Sequence, residues 1–151
     1  FDNSNKKDEK WYINTNQSFD FDGNEVTASY GTATPKAHAD RNGTDEDGVE
    51  LNPVVVIEGL KTKLIKDLKL QVANELAKTD WYITRNTEKS TAIPSAISTH
   101  RDAVRTKQTS METAITNASD TPALETLYTY TTDSDGVQQP RPLGELPTLE
   151  S

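Results

Sequence analysis

Apolar residues recur at helical spacing in two long segments of the chain. From Val54 to Lys78 the stripe advances mostly by four residues and therefore drifts around the predicted helix. Its members are Ile57, Leu60, Leu64, Leu68, Val72 and Leu76, widened by Ile65 and Ala73. From Ser95 to Ala118 the stripe is narrower, because Ile97, Val104, Met111 and Ala118 are seven apart and share a side with His100, Ala114 and Ile115. Two such helices with a short connection predict an antiparallel helical hairpin.

The segment before the helices has a composition that favours β-strands. Residues 10–19 are rich in aromatic and β-branched side chains, and residues 25–34 alternate between polar and less polar positions. Asp20 to Asn24, with Gly23, supply the turn between them. We predict a β-hairpin or small meander over residues 10–34. An isolated hairpin is marginal in water, so it must dock on the helices, on a copy of itself or on another protein.

The C-terminal part of the chain also has both helix and strand signals, in shorter segments. Pro122 at a first helical position predicts a short helix from Thr121 through Leu127. Residues 128–132 and 137–139 have strand character around the turn residues 133–136. Three prolines, at 140, 142 and 147, predict an extended tail that lies over its own domain or over a neighbour.

These elements predict an α+β chain in three parts. Residues 1–50 form a β-rich attachment segment with an acidic loop, residues 51–127 a helical core, and residues 128–151 a C-terminal hairpin and extended tail.

The acidic loop runs from Pro35 to Asn52. Asp40, Asn42 and Thr44 alternate as at the start of an EF-hand. The sixth position, however, holds Asp45 instead of glycine, and the twelfth holds leucine instead of glutamate. We therefore interpret the segment as a solvated acidic loop without a metal, and the sequence leaves its order open.

Composition points to a small core and to protein partners. The chain has 151 residues, of which 32% are hydrophobic, and a mean hydropathy of -0.76. Its formal net charge of -8 disfavours nucleic acid and anionic membranes. It has no apolar run of membrane-spanning length and no signal-peptide pattern at its start. It begins with Phe1, which leaves open whether an N-terminal part is missing or processed.

Residues with catalytic potential are scarce. The chain has no cysteine, and its two histidines, His38 and His100, lack the neighbours that a metal site requires. His100 fits either a residue at the edge of the core or a functional switch. Nucleophile elbows, phosphate loops and dinucleotide fingerprints do not occur. We predict no enzymatic activity, no cofactor, no metal and no small-molecule substrate.

Aromatic and basic residues supply the candidate binding surfaces. Trp81 and Tyr82 fit packing within the core, which we favour, or anchoring at an interface. They follow Thr79 and Asp80, which we expect to cap a new turn, and residues 86–90 form a polar break. Near this corner lie three arginines, of which Arg101 and Arg105 are one helical turn apart and suit pairing with Glu88 or Asp80, a structural role, or recognition of an anion or partner. Four lysines on the first helix fit a solvated face or a docking patch for an acidic partner. The partner-binding candidates are Trp11, Tyr12, Trp81, Tyr82, Arg101 and Arg105, the third arginine is Arg85, and the lysines are Lys61, Lys63, Lys66 and Lys69.

Part of the chain resembles a family of tailed-bacteriophage proteins. The block Leu76-Ala-Lys-Thr-Asp-Trp-Tyr-Ile-Thr-Arg85, with Thr91-Ala-Ile-Pro94 and Arg101-Asp-Ala-Val-Arg105, resembles the C-terminal helical segment of tail-fibre-assembly-like and small virion tail proteins. Met111-Glu-Thr-Ala-Ile115, Ala123-Leu124 and Arg141-Pro-Leu-Gly-Glu145 are similar to marine-phage members. The resemblance covers about residues 57–147, and residues 1–50 lie outside it.

The resemblance implies a non-enzymatic structural component of a phage virion, in the tail (fibre, adaptor or baseplate-associated) more than in the head. Such a protein acts by assembly with other virion proteins and with copies of itself. One alternative is a tail-fibre assembly chaperone absent from the mature particle. Others are a head fibre or decoration protein and an unrelated enzyme accessory domain.

Overall fold

The computed structural model describes residues 5–149, which have an α+β fold of small antiparallel strand pairs and four helices. The pairs are β1 with β4, β2 with β3, β5 with β6, and β7 with β8. The strands are β1 Tyr12–Ile13, β2 Ser18–Phe21, β3 Val26–Ser29, β4 Thr34–Pro35, β5 Arg41–Asn42, β6 Val56–Ile57, β7 Thr131–Thr132 and β8 Gln138–Gln139. The helices are α1 Leu60–Ala77, α2 Asp80–Lys89, α3 Ser95–Asn117 and α4 Thr121–Tyr128.

The described chain forms two compact units. The first contains residues 5–60 and 119–125, and the second contains residues 61–118 and 126–149. The three-part division at residues 50 and 127 stays a prediction.

The N-terminal hairpin of the first unit confirms the predicted strands over residues 10–34. Phe21 pairs with Val26 at the turn end, and Gly23 adopts a φ of 101° within the turn. β1 and β4, which flank this hairpin in sequence, pair with each other. Trp11 and Tyr12, at the start of β1, are buried.

Helix α4 contributes its first residues to the same unit. The Tyr12 hydroxyl donates a 2.8 Å hydrogen bond to Glu125 Oε2, and this bond raises the pKa of Tyr12. Thr121 Oγ1 donates to the Lys36 carbonyl at 2.6 Å, and Leu124 is fully buried. These contacts fix the start of α4 against residues that are remote in sequence.

A second hairpin occupies residues 41–57, where the sequence predicted a loop and the start of a helix. Arg41 pairs with Ile57, Asn42 with Val56, and Thr44 bridges to Glu50. Helix α1 begins only at Leu60, so the predicted start at Val54 is wrong. The reason is the run of four β-branched residues at 54–57, whose side chains favour extended backbone. We call residues 41–57 the acidic hairpin.

The second unit confirms the predicted antiparallel helical hairpin. Near the start of α1, Lys61 Nζ donates to the Thr116 carbonyl at 2.8 Å, close to the end of α3. Near the end of α1, the Leu76 carbonyl accepts from Arg101 at 2.8 Å, close to the start of α3. The buried apolar side chains of the two helices are Leu64, Leu68 and Val72 on α1 and Ile97, Val104, Met111 and Ile115 on α3.

Helix α2 is longer than the sequence indicated. The predicted polar break at 86–90 is wrong, because α2 continues to Lys89. Ser90 follows as its C-cap in the left-handed conformation, with a φ of 53°. Thr79 precedes α2 without a side-chain capping bond, since its hydroxyl donates instead to the Leu76 carbonyl at 3.0 Å. The connection between α1 and α2 is therefore a tight corner held by side chains.

The C-terminal hairpin and tail complete the second unit. β7 and β8 pair around a turn in which Asp133 Oδ1 accepts the backbone N–H groups of Asp135 and Val137. In the tail, Leu143 is buried and its N–H donates to the Leu127 carbonyl at 3.0 Å. The predicted short helix and hairpin are confirmed, and the tail lies over its own unit.

Candidate interaction site at the α2 corner

Arg101 of α3 holds the corner between α1 and α2. Its Nη1 lies 2.8 Å from the Leu76 carbonyl, 2.7 Å from Thr79 Oγ1 and 2.8 Å from Asp80 Oδ1. Thr79 and Arg101 are buried, whereas the Asp80 side chain is 61% exposed. A charged donor satisfies a carbonyl at the end of α1, and its charge also meets a carboxylate. We call this arrangement the Arg101 clasp.

The clasp positions an aromatic surface at the start of α2. Trp81 is 50% exposed, and its ring centroid lies 3.8 Å from that of Tyr82 with a tilt of 34°. The Arg85 guanidinium carbon lies 4.6 Å from the Trp81 centroid and 5.5 Å from the Tyr82 centroid, within cation–π range. We call Trp81, Tyr82 and Arg85 the aromatic corner.

The aromatic corner consists of residue types that are frequent at protein interfaces. Tryptophan, tyrosine and arginine are the residue types most enriched at the energetic centres of protein interfaces. Arg85 Nε is buried, and the described part of the chain offers it no hydrogen-bond partner. A partner that covers Trp81 would remove apolar surface from water without first having to order the corner.

The Glu75 carboxylate and the His100 imidazole lie close together, about one helical turn away from the corner. Glu75 Oε1 lies 3.2 Å from His100 Nε2, and both side chains are largely buried. Lys78 Nζ lies 2.5 Å from the other carboxylate oxygen. The hydrogen bond from Lys78, with a smaller contribution from His100, holds the pKa of Glu75 below its usual value. His100 thus lies in the core, and its role as a switch stays a prediction.

Glu75→Gln is expected to lower the free energy of unfolding by about 1 kcal/mol at neutral pH, because the amide cannot bind Lys78 as a charge. The folded state lowers the pKa of Glu75, so its contribution is present above the unfolded-state pKa and disappears as the pH falls through the folded-state value. Urea unfolding of both proteins between pH 7 and pH 3 measures this. A difference that stays constant across this range would contradict the assignment.

The predicted site residues divide into three groups. Trp81, Tyr82 and Arg101 meet at the corner. Arg101 pairs with Asp80, one of its two predicted partners, whereas Arg105 is exposed and lies 3.3 Å from Asp102. Trp11 and Tyr12 are buried in the first unit, away from solvent.

Two exposed features of the structure were missing from the predicted site residues. Arg85 belongs to the aromatic corner, and its position four residues after Trp81 on one helix was the available signal. The acidic hairpin exposes six large apolar side chains, and the signal was the β-branched run before Gly59.

Comparisons with protein-family models, curated proteins and solved structures found no match. Between residues 5 and 149, no group of three or more His, Asp or Glu side chains is placed to hold a metal ion. None of the described helices combines the length and apolar character that a bilayer span requires.

Proposed function

We propose that this chain is a non-enzymatic structural component of a tailed-phage virion, located in the tail more than in the head. It acts by binding other virion proteins and copies of itself. The resemblance of residues 57–147 to small tail proteins supports the phage assignment. The aromatic corner supports action by protein–protein contact.

One observation carries the proposal. Four residues of the motif behind the resemblance, Thr79, Asp80, Trp81 and Arg101, lie at one corner of the second unit. Three of them form the clasp, and the fourth is a tryptophan that stays half exposed. A motif needed only for folding would bury its largest apolar side chain, because burying such a side chain contributes roughly 2 kcal/mol or more. An exposed tryptophan on a rigid support is typical of a binding anchor.

The charge of the chain fits the same class of partner. A net charge of -8 opposes close approach to phosphate backbones and anionic lipid surfaces. Protein surfaces present no such uniform negative charge, so they fit as partners. The proposed occupants of the aromatic corner are therefore other proteins of the particle.

Mass spectrometry of purified, salt-washed particles tests the proposal. We expect the chain at a fixed copy number relative to the major tail proteins. Detection in the lysate but not in washed particles would contradict the virion assignment and favour the assembly chaperone. Labelled antibody bound at the head would instead favour a head fibre or decoration protein.

A further inference from the structure

The acidic hairpin exposes an apolar face that the first unit leaves uncovered. Side chains alternate between the two faces of the hairpin, and this alternation places Val49, Leu51 and Ile57 on the same face as Gly43. A Cβ built on Gly43 would lie 3.2 Å from Leu51 Cδ1 and 3.7 Å from Ile57 Cδ1, so both side chains lie over this glycine. All three are exposed, and Val49 is exposed by 60%.

Carboxylates border this apolar face at the tip of the hairpin. At the tip, Asp45 Oδ1 accepts the N–H groups of Asp47 and Val49, which fixes the turn and leaves Glu46 and Asp47 exposed. At the base, the exposed Arg41 pairs with Ile57 and lies on the same face as the apolar side chains. The hairpin carries Asp45, Glu46, Asp47 and Glu50 against the single Arg41, so two hairpins packed face to face would repel each other by their net charge, which disfavours a symmetric pair.

The same chain carries a surface of opposite charge on α1. Leu70 is 63% exposed, and Lys63 and Lys66 precede it by seven and four residues, so the three share a face of the helix. Asp67 lies on this face as well, four residues after Lys63 and three before Leu70, and leaves the face with a net positive charge. We call Lys63, Lys66 and Leu70 the basic face.

We infer that the acidic hairpin of one copy docks on the basic face of α1 in a second copy. The apolar side chains of the hairpin cover Leu70, while Glu46 and Asp47 approach Lys63 and Lys66. Two different surfaces meet in such a contact, so it is heterologous and generates a ring or an open row of copies. The inference deepens the proposed function, since it names the surfaces by which copies of the assembly protein meet.

Paired charge reversal tests this contact by sedimentation of the full chain. The hairpin variant is Glu46→Lys with Asp47→Lys, and the helix variant is Lys63→Glu with Lys66→Glu. We expect the wild-type protein to associate with rising concentration, and less so at high salt. Each variant alone meets like charge, so its apparent dissociation constant should rise by roughly tenfold or more.

Mixing the two variants supplies the decisive result. In the mixture, the reversed hairpin meets the reversed helix and the unchanged hairpin meets the unchanged helix, so association should return to the wild-type level. The control Glu88→Lys with Asp135→Lys changes the net charge as the hairpin variant does, but at positions outside both surfaces, and should associate like the wild type. Circular dichroism checks that every variant is folded.

A wild-type protein that stays monomeric up to about 100 µM would overturn the inference. Variants that lose association without recovery in the mixture would also overturn it. If either result is obtained and the chain is still found in washed particles, the contact between copies is excluded and the virion proposal stands. If association recovers in the mixture but the chain is absent from particles, the contact stands and the virion proposal is contradicted.

Discussion

Arg101→Ala is expected to lower the free energy of unfolding by about 3 kcal/mol. The substitution removes a buried charged donor that binds the Leu76 carbonyl, Thr79 Oγ1 and Asp80 Oδ1. The Leu76 carbonyl keeps the Thr79 N–H and hydroxyl as donors, so the main cost is the loss of hydrogen bonds from a charged donor, for which about 1.5–3 kcal/mol is typical. The space left by the guanidinium adds a packing loss.

Arg105→Ala is the matched control for this experiment. Arg105 lies one turn further along α3, carries the same charge, and pairs with an exposed carboxylate at 3.3 Å. An exposed pair of this kind contributes about 0.2–1 kcal/mol, so its removal should have a much smaller effect. Urea unfolding followed by helical circular dichroism measures both variants. Equal effects of the two substitutions would show that the Arg101 clasp does not hold the corner.

The parts of the fold that could be predicted were those with one strong periodic signal. In α3, the seven-residue spacing from Ile97 to Ala118 identified side chains that are all buried in the structure. The segment before α1 gave two conflicting signals. Pro53 and Ile57 fitted a helix start, while the β-branched run from Val54 favoured extended backbone, and backbone pairing with β5 decided in favour of the strand.

The candidate site could be predicted only in part for a related reason. Opposite charge and helix position indicated that Arg101 could meet Asp80, and the structure has this pair. The other acceptors are a main-chain carbonyl at Leu76 and a hydroxyl turned away from α2. Their position depends on the break between α1 and α2, and no side-chain pattern specifies which carbonyl such a break turns toward Arg101. The exposure of Trp81 follows from that corner, so the sequence left its role open between core and interface.

Trp81→Ala is expected to reduce incorporation of the chain into particles by roughly thirtyfold, which corresponds to about 2 kcal/mol of lost binding. Trp81 is half exposed, so the substitution removes contact area from a partner more than from the core. It also removes the ring under the Arg85 guanidinium, which then loses its closest aromatic contact. Particles produced with the variant as the only copy of the protein, quantified by mass spectrometry, provide the measurement.

Ile83→Ala provides the matched control on the same helix. Ile83 is 38% exposed and apolar, but it lies outside the aromatic corner, so its substitution should leave incorporation within about threefold of the wild type. Both variants should unfold within about 1 kcal/mol of the wild-type protein, because neither side chain is buried. A Trp81→Ala protein that is stable and fully incorporated would exclude the aromatic corner as the surface that binds the particle. Loss of incorporation in both variants would instead indicate a general defect of α2, since residues two apart on a helix point in nearly opposite directions.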